Sequence, residues 1–552
     1  MSDTPADGWS PANPDSARPD GAGPDGAGPD GASRDTAGWD QPPARPNRRG
    51  RWVIAAVCVL ALILLGGGGA YAFARLSGAG PQPESALPAS TIAMVKLDLN
   101  PGAGQKLAAY RLFRKFPAAK IGTDQDKAVQ SLIRSATRDS GGIDFDADVR
   151  PWLGKRAAVA VVPSGNPADP FGYAAVVAYT DQAAMTSGLH HLQQHDGRAA
   201  FGFTGHDGYV LIAATQREAD RYATAAAAKP LARVGTLSAD IAALHGDQIA
   251  VAWADFGALW NAIPESDRRA ASTAFGGGSQ PLAGRYVAGL HLSDSAVEVS
   301  GRGFDLKLPE ASTRIGVKPT GGNLIGELPA DGVAAVSVTG LDEAVSSFWD
   351  RATAAVPDTR GLAQSLGIRL PDDLKTLLGQ QTALWLAPGG RSGGVRIRSA
   401  DPGAAETVAT KLLAAASSAG DGTDPTAIDP TATDPGSTDP APMDPTGGLA
   451  DQAMVTRTAD GHGLVLASDA DAARGLADPK QQLRDRPGFT AVLPDADTAG
   501  LAAWIDIAGL LKLAPPDTVS AQQRANLAPL DQLGYSATND GDHAFRLKLT
   551  FK

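Results

Sequence analysis

One cysteine, Cys58, is all that the 552 residues contain, and it sits inside an apolar run. The rest of the chain therefore folds without a disulfide, and a lone thiol makes neither a redox pair nor a zinc pair. Two further signatures, of a serine nucleophile and of a phosphate-binding loop, are missing as well: there is no SxxK and no Walker A segment. A catalytic triad assembles in space rather than in sequence, so these absences weigh against an enzyme without closing the question. Aromatic residues make up 6%, and Trp253, Trp260, Trp385 and Trp504 have no basic residues interleaved with them. They read as core or cleft-lining residues, not as a platform for stacked bases. A net charge of −11 argues against nucleic acid or anionic lipid as a partner of the exported part.

Long apolar runs are also scarce. One stands out: residues 52–74, twenty-three in a row without a charge. At ~1.5 Å per helical residue it reaches about 34 Å, enough to cross a hydrocarbon core of ~30 Å. Arg45, Arg48, Arg49 and Arg51 precede it and Arg75 alone stands close after it, which places residues 1–51 in the cytoplasm and the C-terminal part outside. Trp52 at one end and Tyr71 with Phe73 at the other suit the two interfaces. The expectation is a single-pass cell-membrane protein whose partner here is the lipid bilayer. The alternative is a signal peptide cut after Ala70-Tyr71-Ala72 or Ala72-Phe73-Ala74, which also exports the C-terminal part. Cys58 is no lipobox cysteine, because most of the apolar run comes after it.

Two stretches are too polar and proline-rich to bury a core. Residues 1–51 carry aspartate every five positions from Asp15 to Asp40, and 420–448 repeat Asp-Pro from Asp424 to Asp444. Both are expected to be disordered, the first as a cytoplasmic arm and the second as a loop insertion. The GxGxxG at 21–26 lacks a strand before it and a helix after it, and is a false positive.

After a spacer at 75–86, residues 91–99 alternate Ala93, Val95, Leu97 and Leu99 with Met94, Lys96 and Asp98, the pattern of a half-buried strand. Asn100-Pro101 opens a helix with Leu107, Tyr110 and Phe113 on one face, and 124–138 reads as a second helix. Residues 159–162 and 173–179 form a hairpin around a loop at 164–172. Asp181 caps a helix with Ala184, Met185, Leu189 and Leu192 inward. His206-Asp207-Gly208 turns a second hairpin. Residues 249–254 form a strand, Asp255 caps the helix after it, and 286–292 with 296–301 close the unit.

Leu87-Pro88, the strand into Asp98-Leu99-Asn100-Pro101, Gln105-Lys106, Phe116-Pro117 and Pro151-Trp152-Leu153-Gly154 together resemble an actinobacterial family of single-pass envelope proteins, defined only by an exported domain of unknown function, number 3352. The resemblance runs from about Leu87 onward and implies localisation but no activity, cofactor or site residue.

The chain also resembles itself. Residues 142–163 align without gaps on 367–388, matching Gly, Ile, Asp, Leu, Gly, Ala and Pro; Leu87-Pro88-Ala89 recurs as Leu328-Pro329-Ala330, and Trp253-Ala254-Asp255 as Trp504-Ile505-Asp506. Two tandem copies are expected, at 87–305 and 323–552 with a linker at 306–322. Hairpins outnumber crossovers, so the expected fold is α+β, each copy a mainly antiparallel sheet with helices packed on one face.

Metal chemistry is tempting at two places. His191 and His195 lie one helical turn apart near His206, but the glutamate of HExxH is absent and 411–415 in the second copy carry no histidine. Asp144, Asp146 and Asp148 open like a calcium loop, yet Val149 stands where glycine is required and Lys155 where glutamate belongs. Asp148 reads instead as the N-cap of a single turn that stops at Gly154. No catalytic, cofactor or metal residue is assigned. The expected role is non-catalytic binding or scaffolding toward another envelope protein; the alternatives are an apolar-ligand or lipid-binding module, signalled by an apolar cavity, and a hydrolase with an unsignalled site.

Overall fold

A computed structural model describes residues 81–98, 103–116, 145–166, 168–195, 201–268, 283–307, 315–345, 349, 367–390, 392–420, 453–515, 518–539, 541 and 543–552. The arm, the apolar run 52–74, the helix expected at 124–138 and nearly all of the Asp-Pro insertion lie outside these residues. Among the described residues, no helix is long and apolar enough to cross a membrane.

β1 (Ala93–Asp98) lies between β2 (Leu153–Asn166) and β6 (Ala250–Asp255), antiparallel to both. Beyond β2 come β3 (Asp169–Tyr179), β5 (Tyr209–Ala213) and β4 (Gly202–His206); beyond β6 come β7 (Ala283–Ser293) and β8 (Ala296–Lys307). The second half repeats this order. β9 (Ala334–Thr339) lies between β10 (Gln381–Leu386) and β14 (Leu501–Asp506), with β11 (Gly393–Arg398), β13 (Gly463–Ala467) and β12 (Met454–Arg457) on the β10 side. β15 (Leu530–Thr538) and β16 (Ala544–Phe551) lie on the β14 side. The register repeats too. Trp253 faces Met94 as Trp504 faces Ala335, and Ala158 faces Lys96 as Ala383 faces Ser337.

The halves do not make separate sheets. β8 and β16, the last strand of each, pair antiparallel and join everything into one sixteen-stranded sheet. Each would otherwise be an edge with a row of unpaired N–H and C=O groups, and the pairing satisfies both.

Helices α1 (Ala103–Phe113), α2 (Gln182–His195), α3 (Gln216–Ala228), α4 (Gly235–Ala242) and α5 (Phe256–Ala262) belong to the first half. The second carries α6 (Asp372–Leu378), α7 (Pro402–Gly420), α8 (Ala470–Ala477), α9 (Phe489–Val492), α10 (Ile507–Leu513) and α11 (Ala521–Leu527). They do not keep to one face, as the sequence had suggested. Along β5, Tyr209, Leu211 and Ala213 enter a core with Ala219 and Tyr222 of α3 and Leu237 of α4, whereas Val210 and Ile212 pack with Met185 and Leu189 of α2. The second half shows the same division, with α8 and α9 on the tryptophan side and α7 opposite. A strand that is apolar on both faces demands cover on both.

That two-sidedness overturns the expected orientation of β1. Met94 is buried against the core of Trp253 and Val95 is 49% exposed, although Leu97 of the expected set is buried. Lys96 points inward with Met94 because its ammonium meets Glu84 at 2.7 Å. In α1 the buried positions are Gln105, Ala108, Ala109 and Leu112, and Leu107 is exposed; the side chains of Tyr110 and Phe113 are outside the described residues. The loop foreseen at 164–172 is mostly strand, with Pro163 opposite Phe171 and Asn166 opposite Asp169. Asp148 is not an N-cap: it lies within a π-helical turn, Phe145–Val149, and is buried. Other local expectations hold. Asp181 and Asp255 accept from Ala184 N and Ala258 N at 2.9 and 2.8 Å, and Asp207 and Gly208 take φ of 50° and 76°, the double left-handed turn of a tight hairpin.

Candidate apolar binding site

Residues paired across a sheet share a face, so register alone sorts the side chains. Met94, Trp253 and Val287 point to the buried core, and Val95, Val159, Ala252 and Ala288 point the other way. On that other face a trough of about 390 Å³ opens to solvent, within the ~300–1,000 Å³ typical of small-molecule sites. Its floor is five adjacent strands, β3-β2-β1-β6-β7. Ala93, Ala252, Ala254 and Ala288 keep the floor low, Val95, Val159 and Val161 line it, and Tyr173 and Tyr286 stand at opposite sides. Phe256, the first residue of α5, contributes from the helix that Asp255 caps. Among the described residues, no charged side chain lines the trough.

Tyr286 is held where it is by its neighbours. Its ring stacks on Phe545 of β16 with centroids 6.2 Å apart and planes 4° from parallel, and its hydroxyl donates to His543 O at 3.2 Å. Burial pushes the Tyr286 phenol up to about 12. Gly301 lies beneath this stack, and a Cβ there would come within 2.4 Å of the Phe545 ring.

The matching positions of the second half carry different bulk. By register, Ile505 replaces Ala254, Tyr535 replaces Ala288, Leu384 replaces Val159, and Leu386 replaces Val161, while Leu533 and Gly393 stand for Tyr286 and Tyr173.

The indoles of Trp253, Trp385 and Trp504 pack in the cores, although Trp253 also borders the trough. Trp253 Nε1 donates to Asp240 Oδ2 at 2.9 Å, Trp504 Nε1 to Gln532 Oε1 at 2.8 Å and Trp385 Nε1 to Pro329 O at 3.1 Å, and all three are buried. Trp260, on α5, is half-buried. The histidines disperse. His191 Nδ1 lies 2.6 Å from Asp148 Oδ1, His190 contacts Gln193, and His206 faces Tyr209 at the end of its hairpin. Asp146 pairs with Arg150 at 3.0 Å; Asp144 and the side chain of His195 lie outside the described residues. Among the described residues no three His, Cys, Asp or Glu side chains gather in a metal-binding group. The trough itself was hidden from one-dimensional reading because its lining comes from separated strands, though the small apolar pairs two apart, Ala93 with Val95 and Ala252 with Ala254, mark its face.

Residues 53–274 match the model of a family described as "Protein of unknown function (DUF3352)". The match includes β1 to β6 and α5 and ends before β7, which supplies Tyr286 and Ala288. No curated protein matches the chain. Among solved structures it is similar to "Structure of crystal form III of TP0453", at 8% identity and a TM-score of 0.22, covering 43% of this chain and 85% of that one. Crystal form I of the same protein aligns at 8% identity and 0.20, covering 42% and 81%. Scores of this size carry no argument about fold or function.

Proposed function

We propose that this protein is a non-catalytic binding protein of the cell envelope, anchored by residues 52–74 with its C-terminal part outside, and that it takes the apolar portion of a small amphiphile in the trough of its first half. One observation carries the reading: an open trough on the sheet face opposite the core, lined by carbon and free of charge. Its backbone groups are engaged in the ladder, so the floor offers contact area rather than directed hydrogen bonds, which suits a tail more than a polar substrate. Scaffolding toward another envelope protein is the weaker reading, because a flat closed surface would have favoured it. We also read the two halves as tandem copies of one unit, supported by the aligned segments 142–163 and 367–388 and by the common strand order and register.

Photolabelling tests the ligand reading. The full chain, reconstituted in phosphatidylcholine nanodiscs, is irradiated with octanoate bearing a terminal diazirine, and labelled peptides are mapped by mass spectrometry. Label is expected on β1, β2, β6 and β7. Ala254→Ile places in the trough the residue that the second half carries, and is expected to lower labelling about tenfold, the equivalent of ~1.4 kcal/mol. Labelling that avoids these strands, or that ignores Ala254→Ile, overturns the proposal.

A further inference from the structure

The apolar face does not stop at the last strand of the trough. From Ala288, register leads to Gly301 on β8 and Phe545 on β16; one step along, Leu290 faces Val299 and Val299 faces Leu547; another step along, Leu292 faces Val297 and Val297 faces Leu549. Every residue in these three rows is apolar. Leu547 is 37% exposed, in the middle of a sheet rather than at an edge.

The charges that pair across the junction lie on the opposite face. Glu298 and Lys548 face each other there, as do Ser300 and Arg546. Arg546 meets Glu298 at 3.1 Å and Asp495 at 2.8 Å, and Lys548 reaches Glu298 at 3.8 Å. The usual arrangement of a half-exposed strand, polar side chains outward, is therefore inverted where the two halves meet. An apolar strip of this kind, exposed at Leu547 and half-buried at the other side chains of the rows, marks a surface that something covers.

Resting on the trough as the binding site, we propose that the ligand is a long-chain amphiphile whose tail leaves the trough beside Tyr286 and lies across the junction of the two halves, over Val299 and Leu547. Continuity with the trough and the absence of charge along the path select a hydrocarbon tail over a peptide, whose own N–H and C=O groups would find no partners on a sheet face with its ladder already made. From β7 to β16 the path crosses two interstrand steps, about 10 Å at ~4.8 Å each, so a tail filling only the trough falls short of Leu547. The junction then serves function as well as architecture: neither half alone makes the whole site.

The test compares octanoate and palmitate, each with a terminal diazirine, on the full chain in nanodiscs. Octanoate is expected to label the trough strands, and palmitate to move its label to β8 and β16. Leu547→Asp, at an exposed position, is expected to cut palmitate labelling of β16 about tenfold, the loss of roughly two buried methylenes, and to leave octanoate labelling within about twofold. Ala254→Ile is expected to lower both about tenfold. Palmitate label that stays in the trough, or that persists on β16 in Leu547→Asp, overturns the extended site while leaving the trough intact. Label on β16 that survives Ala254→Ile comes from the bilayer and also overturns it. If neither probe labels the trough strands, the underlying reading of the trough has failed instead.

Discussion

Trp253 and Trp504 occupy matching places in the two halves and solve the same problem with different partners. A buried indole N–H left unpaired costs ~1–3 kcal/mol, and Asp240 accepts in one half where Gln532 accepts in the other. The tryptophans were legible in the repeated Trp-x-Asp; their acceptors, 13 residues before one and 28 after the other, were not. Buried tyrosines give a measurable consequence. Burial pushes Tyr209 and Tyr286 up to about 12 from an ordinary value of 10, with Arg156 partly opposing the shift at Tyr209. The folded protein thus holds both phenolic protons more tightly than the unfolded chain does. Their contribution to stability is complete below pH 10 and is lost as the pH rises toward about 12. Thermal midpoints measured across that window are expected to fall, and to fall less steeply in Tyr209→Phe and Tyr286→Phe.

At the scale of elements, the Asp207-Gly208 hairpin and the caps at Asp181 and Asp255 were read from local signals and took their places because local chemistry suffices for them, whereas the cap read at Asp148 did not form. The facing of β1 was not legible locally. Its alternation correctly showed one apolar set, Ala93, Val95 and Leu97, but the burial of Met94 and the inward turn of half-buried Lys96 depend on the core beneath and on Glu84. The junction of β8 and β16 is the element-level feature most open to test. Gly301 permits Phe545 to cross β8 and stack on Tyr286, with Tyr535 on its other side at 6.4 Å. Gly301→Val is expected to destabilise the protein by ~1–3 kcal/mol through overpacking and to weaken the near-ultraviolet circular dichroism of the stacked rings. An unchanged spectrum would mean that the stack does not depend on this glycine.

For the whole molecule, the proposed anchor and the proposed ligand make one picture, an apolar trough held close to a membrane. Full-length chain is expected to stay with the membrane through alkaline carbonate washing, and a protease site introduced at 76–80 is expected to release the C-terminal part intact. Release by carbonate without cleavage would remove the anchor from the proposal. What the sequence determined by itself is what local composition and periodicity can carry: the charge-free run 52–74, the proline-rich stretches, the hairpins and caps, and the repeated segments that share a strand order. The tertiary structure decided how those pieces face one another. It closed the two halves into one sheet, placed helices on both faces, sent the tryptophans to the cores and left an apolar trough on the other side. The reason is physical: which face of a strand is covered depends on elements far away in the chain, and alternation with period two marks a face without saying what lies against it.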